Sequence, residues 1–144
     1  MPNPLLLEEQ LCFPFYAISR EITKRYRPLL EPLGLTYPQY LVMLVLWEQD
    51  QQSLKAVGER LHLHSGTLTP LLKKLEASGL VERVKNPADE RHIQITLTTD
   101  GQALRKEAEQ IPLALKELLG VSDEDLELVK QTLNRLTIKM NGTD

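Results

Sequence analysis

Apolar residues near the start of the chain recur with helical spacing: Phe15, Ile18, Ile22 and Tyr26 mark one face of a first helix, which Arg27-Pro28 is expected to interrupt. Thr36-Tyr37-Pro38-Gln39 has the form of a capping box, so a second helix is expected from about Pro38 to Glu48. Ser53 suits the cap of a third helix, Leu54 to Leu61, with Leu54, Val57 and Leu61 facing inward. His62-Leu63-His64 is long enough for a turn and nothing more. Ser65 is then expected to cap a fourth helix, in which Leu68, Leu71, Leu72 and Leu75 form an i, i+3, i+4, i+7 stripe and Gly79 provides the stop. Leu80 to Lys85 reads as a strand, Asn86-Pro87-Ala88-Asp89 as a turn, and His92 to Leu97 as a second strand with Ile93, Ile95 and Leu97 alternating against polar residues.

Two helices joined by a short turn and followed by a hairpin predict a winged helix-turn-helix. The remainder has a different period. Leu104, Ala108, Ile111, Leu115 and Leu118, and after Gly120 the series Leu126, Val129, Leu133, Leu136 and Met140, alternate steps of three and four. Such seams call for a partner helix. The expectation is a single, mainly α domain over residues 1–144 with a small β-hairpin. Residues 1–35 and 102–144 would supply dimerisation helices and residues 36–101 the winged unit, giving a homodimer.

Composition narrows the class. With 144 residues, 42% hydrophobic and 26% charged, the chain has the size and make-up of one globular domain. No apolar run approaches the ~20 residues that cross a bilayer. The opening MPNPLLLEEQ lacks the basic start of a secretory signal, so a cytoplasmic location and no membrane partner are expected. One cysteine excludes an internal disulfide, and with three histidines it fits no zinc-finger spacing, so no metal or other cofactor is expected. The glycines form neither a dinucleotide fingerprint nor a phosphate-binding loop. No His-Glu-x-x-His helix or nucleophile-elbow serine occurs, which argues against an enzyme.

The net charge of −3 argues weakly against a nucleic-acid partner, but its distribution matters more. Residues 53–95 carry seven basic and five acidic side chains between acidic flanks. All aromatics, Phe13 to Trp47, precede that segment, which disfavours stacking on single-stranded bases. The apolar stripe of the fourth helix leaves Ser65, Gly66, Thr67, Thr69, Pro70, Lys73 and Lys74 facing outward, with no acid before Glu76. Small residues at a helix start let backbone approach a major groove, hydroxyls donate to phosphates or base edges, and lysines neutralise phosphates. Lys55, Arg60, Arg83 and Lys85 are candidates for further backbone contacts. Arg91, held by Asp89, is the candidate for a minor groove. Two such helices on a twofold axis would reach successive major grooves about 34 Å apart on double-stranded DNA, which predicts an inverted-repeat operator.

Cys12 precedes Pro14, a residue at ease in a helix's first turn, so Cys12 is placed at or near the start of the first helix. Such a position favours the reactive thiolate, whereas Phe13 and Phe15 beside it favour plain burial. Tyr16 shares its face. Tyr26 lies 14 residues on, roughly 21 Å along a continuous helix, and can meet Cys12 only across a dimer or a bend. Tyr40, deeper in its helix, reads as core.

Leu11-Cys12-Phe13, Leu35-Thr36-Tyr37-Pro38-Gln39-Tyr40, the block from Ser65 to Glu76, and Asp89-Glu90-Arg91 with Leu97-Thr98 and Gly101 together resemble the MarR family of winged-helix repressors. Within it they are similar to the one-cysteine sensors of organic hydroperoxides. The resemblance spans about residues 8–140, with Pro14 and His64 as departures from the family pattern. It implies a dimeric repressor whose Cys12 is oxidised by organic hydroperoxide and then meets small cellular thiols. Tyr26 and Tyr37 of the other subunit would donate hydrogen bonds to the sulfur, with Tyr16 a nearby contact. Ser65, Thr67 and their neighbours would read the major groove, and Asp89 and Arg91 would form the wing contact. Three other readings stay open: a repressor controlled by a small aromatic ligand between helices, a thiol peroxidase, and a winged-helix protein-interaction module.

Overall fold

The structure, a computed structural model, describes residues 2–86 and 88–141; of Asn86, Glu90 and Arg91 it describes the backbone alone. Helices α1 (Phe13–Leu30), α2 (Tyr37–Glu48), α3 (Leu54–Leu61) and α4 (Ser65–Ala77) are followed by strands β2 (Val81–Asn86) and β3 (Asp89–Leu97). A two-residue strand, β1 (Gln52–Ser53), precedes α3, and α5 (Thr99–Ala108), α6 (Ile111–Leu119) and α7 (Asp123–Asn141) complete the chain. The antiparallel sheet has the order β1-β3-β2, with Val81 opposite Leu97 and Gln52 opposite Ile95. A mainly helical winged helix-turn-helix is therefore what the periodicities indicated.

Local chemistry fixes the helix starts. Thr36 Oγ1 accepts from the Gln39 amide while the Thr36 amide donates to Gln39 Oε1 at 3.0 Å, completing the capping box. Ser53 Oγ accepts from the Ala56 amide at 3.0 Å, and α3 has the bounds expected. Four expectations are corrected. Pro28 does not interrupt α1: it sits in the last turn, and the helix runs on to Leu30. A proline there costs about 3 kcal/mol. Burying Leu30 and packing Leu29 on the core returns ~1.5–3 kcal/mol for each fully buried leucine, which offsets it. Ser65 is not the cap of α4; His64 is, with extended backbone and no side-chain capping bond, and Ser65 is the first helical residue. The seam from Leu104 to Leu118 is not one helix, because α5 ends at Ala108 and Pro112 opens a new first turn in α6. The second strand begins at Asp89, before His92. Pro87, within the expected turn, lies outside the described residues.

The core is built by Leu30, Met43, Leu46, Val57, Leu68, Leu72, Leu75, Val81 and Ile95, so α4 and the sheet share one interior. Polar bonds lock its edges. Thr98 donates its hydroxyl to the Gly79 carbonyl at 2.6 Å and accepts from the Gly101 amide at 3.0 Å, which pins the start of α5 to the end of α4. Trp47 Nε1 donates to the Gly101 carbonyl at 2.9 Å. A Cβ on Gly101 would lie 2.1 Å from the Leu80 carbonyl oxygen, closer than atoms approach. Gly101→Ala should accordingly lower the unfolding free energy by roughly 1–3 kcal/mol, read as a lower urea midpoint at unchanged slope.

Candidate functional site

Cys12 occupies the N-cap position of α1, where its carbonyl accepts from the Tyr16 amide at 3.2 Å, and its side chain is exposed. Phe13 and Phe15 are exposed with it rather than closed over it. Tyr16, one turn on, is engaged with Arg20: the guanidinium donates to the phenol oxygen at 3.4 Å and lies 5.5 Å from the ring centre.

The other tyrosines form a separate cluster. Tyr26 and Tyr37 rings are 4.6 Å apart, Tyr26 and Tyr40 5.8 Å, and Tyr40 continues to Trp47 at 6.5 Å. Tyr40 is buried, as expected of core, and Tyr26 and Tyr37 are half-buried. Burial pushes the Tyr26 phenol up from 10.0 to about 12, helped by its neighbours Tyr37 and Tyr40, and burial likewise raises Tyr37. Both therefore remain hydrogen-bond donors at any near-neutral pH. Since α1 is continuous, Tyr26 stands roughly 21 Å from Cys12 within one chain. The chain thus assembles the donors and the thiol, but not together.

On α4, Ser65, Gly66, Thr67, Pro70, Lys73 and Lys74 are exposed and Thr69 is half-buried, while Leu68, Leu72 and Leu75 point into the core. Gly66 is informative by contrast with Gly101: nothing lies within 4 Å of where its Cβ would stand. The fold itself does not require a glycine there. Lys55 and Lys85 are exposed as well. Two candidate contacts are already paired. Arg60 reaches Glu48 at 2.6 Å, and Arg83 binds Glu76 through Nε at 3.2 Å and Nη2 at 3.0 Å. The Arg83 hydrogen bond holds the Glu76 carboxyl below its ordinary range. Sequence reading missed this clamp across the Gly79 turn, although seven-residue spacing over a helix stop was a usable signal. Asp89 lies 3.3 Å from His92 Nε2; the Arg91 side chain, expected to pair with Asp89, lies outside the described residues.

Apolar surface is left open at both ends of the chain. No residue of α7 is buried: of its seam, Leu126 is half-buried and Val129, Leu133, Leu136 and Met140 are exposed among the described residues. The first half of the earlier seam differs, since Ala108, Ile111 and Leu115 are buried inside. Arg25 Nη1 donates to the Leu118 carbonyl at 2.7 Å and ties α1 to α6. A shallow cavity of about 230 Å³ is lined by Tyr40, Leu44, Trp47, Ala108 and Pro112 together with the charged Glu48, Arg105 and Glu109. No single helix among the described residues is long and apolar enough to cross a membrane.

The SarA/Rot family of transcriptional regulators matches residues 24–108. An organic hydroperoxide resistance transcriptional regulator of Bacillus subtilis (strain 168) is 50% identical over 130 residues, covering 90% of this chain and 88% of the relative. The regulator SarZ of Staphylococcus saprophyticus is 40% identical over 92% of this chain and 91% of its own length. Reduced AbfR bound to DNA, from Staphylococcus epidermidis, matches with a TM-score of 0.73 at 40% identity, over 91% of this chain and 95% of that one.

Two outcomes follow from the geometry. Tyr26 favours folding while neutral, so its stabilising effect is full below pH 10.0 and is lost as pH rises through about 12. In an alkaline absorbance titration the last phenol should ionise near 12, and Tyr26→Phe should remove that step. Gly66→Ala should leave stability unchanged or raise it by about 0.5–1 kcal/mol in thermal melts, while duplex DNA binding falls at least tenfold.

Proposed function

We propose that this chain, which belongs to the SarA/Rot and organic-hydroperoxide-resistance group of winged-helix transcriptional regulators, is a homodimeric repressor that releases its operator when Cys12 is oxidised. One observation carries the reading: an exposed thiol at a helix start and a pair of neutral phenols lie too far apart in one chain to meet. A second copy, seated on the apolar faces of α1 and α7, brings the Tyr26 and Tyr37 hydroxyls of one subunit to the Cys12 sulfur of the other. Residues 1–35 and 102–144 form that dimerisation region, and residues 36–101 bind double-stranded DNA.

In the reduced dimer α4 of each subunit enters a major groove. Ser65, Gly66, Thr67, Thr69 and Pro70 approach base edges and Lys73 takes a phosphate. Arg83 stiffens the wing through Glu76, and Arg91, held by Asp89, enters the adjacent minor groove. The twofold sets an inverted repeat with half-sites about 34 Å apart. As a regulator of DNA the protein has its place in the cytoplasm, and its redox step is stoichiometric rather than catalytic.

Oxidation begins when the Cys12 thiolate attacks the distal oxygen of an organic hydroperoxide. The O–O bond breaks, an alcohol leaves after taking a proton, and sulfur becomes a sulfenic acid. With one cysteine in the chain, resolution comes from a small thiol, which condenses to a mixed disulfide and releases water. The phenol hydrogen bonds are lost and bulk is added at the subunit contact. A 10³-fold loss of DNA affinity needs about 4 kcal/mol, within reach of several charge-assisted hydrogen bonds plus a repacked interface. AbfR has been solved on DNA both reduced and overoxidised, so we assign release to bulk on sulfur rather than to its oxidation state alone.

Cys12→Ser should bind promoter duplex within about twofold of wild type in fluorescence anisotropy and keep it after organic hydroperoxide and a small thiol. Wild type should release the duplex and rebind on reduction. Release by the serine variant would refute the redox reading and favour a ligand at the Tyr40–Trp47 cavity; peroxide turnover far beyond one equivalent per subunit would make the protein a peroxidase.

A further inference from the structure

All three histidines of the chain, His62, His64 and His92, line one open cleft of about 630 Å³ beside the start of α4. The turn that gathers them is tightly built. Leu63 donates its amide to the Gly58 carbonyl at 2.9 Å, His62 takes a left-handed φ of 57°, and a Cβ on Gly58 would stand 2.7 Å from the Leu63 oxygen. His62 and His64 are left exposed on either side of the half-buried Leu63. Strand β3 brings His92 from a third side, exposed and 3.3 Å from an Asp89 carboxylate oxygen.

The charges facing the imidazoles are few. Helix α3 contributes Lys55 and Glu59; its Arg60 is held by Glu48. Helices α4 and α7 contribute the uncharged Ser65 and Asn141, and β3 contributes Asp89 through His92. No group of His, Cys, Asp and Glu among the described residues is arranged to hold a metal ion. Ser65 belongs both to this cleft and to the face of α4 assigned to the major groove. Ser65 therefore sets the cleft at the edge of the surface proposed to meet DNA.

We propose that the cleft is a proton-linked phosphate contact, in which His62, His64 and His92 take up protons as a DNA phosphate seats beside Ser65 and Lys55, so that operator affinity rises as pH falls. The proposal rests on the DNA-binding reading above and adds a second contact to it. Imidazole is the side chain whose charge changes across the near-neutral range, and each added cation that neutralises a phosphate makes binding more salt-sensitive.

The test is anisotropy of reduced wild type on its promoter duplex at fixed ionic strength. Between about pH 8 and about pH 6 affinity should rise roughly tenfold, with the salt slope steeper by about one at the lower pH. His62→Asn/His64→Gln/His92→Gln, with Asn chosen because it tolerates the left-handed backbone, should melt like wild type and lose the rise between about pH 8 and about pH 6. A rise retained in the triple variant, or a flat wild type, overturns the proposal while leaving DNA binding intact. Replacing chloride by inorganic phosphate at equal ionic strength should leave the pH effect in place; abolishing it would make the cleft a free-anion site instead. Failure to bind duplex at every pH removes both this contact and the reading beneath it.

Discussion

The continuous helix from Phe13 to Leu30 keeps Cys12 and Tyr26 roughly 21 Å apart, and no rotamer of either side chain closes that gap. The rod is held at its far end by Leu30 in the core and along its side by Arg25 on the Leu118 carbonyl. Its near end carries the thiol into solvent. In the proposed dimer the redox site is therefore shared by two chains, and the apolar seam of α7, of which no described residue is fully buried, supplies the surface on which they meet.

What happens at the sulfur reaches DNA because few joints between them are soft. The tyrosine cluster joins α1 to α2 and runs on to Trp47, whose indole holds the Gly101 carbonyl at the start of α5. Thr98 ties that same start to the end of α4, and Leu68, Leu72 and Leu75 lock α4 to the shared core. The wing is fixed by Arg83 on Glu76 and by the register of β2 on β3. Under the proposed mechanism a shift of α1 against its partner moves the winged unit with it, and twofold spacing converts a small rotation into loss of one groove contact.

Local chemistry was the legible part of this molecule. The Thr36–Gln39 box, the Ser53 cap, the leucine stripe of α4 and the alternation of β3 each depend on neighbours a few residues away, and each appeared where the pattern put it. Errors arose where tertiary burial overrode a local rule. Leu29 and Leu30 carried α1 through Pro28, and Ala108 and Ile111 continued one apolar seam although they lie on two helices. Strand β1 is two residues long, too short to leave a period. At the candidate site, Cys12 at a helix start, the outward face of α4 and Tyr40 in the core were readable from spacing. The pairing of Arg60 and Arg83 was not, because ion pairs between elements depend on where those elements pack.

Subunit complementation addresses the composite site most directly. A heterodimer is formed from one Cys12→Ser chain and one Tyr26→Phe/Tyr37→Phe chain, and the rate at which the remaining Cys12 is oxidised by organic hydroperoxide is compared with that in the Tyr-variant homodimer. A site completed across the dimer predicts near wild-type oxidation in the heterodimer and slow oxidation in the homodimer. Equal, slow rates in both would mean that the phenols act on the thiol of their own chain, and equal rates at the wild-type level that they do not act on it; either result would contradict the account.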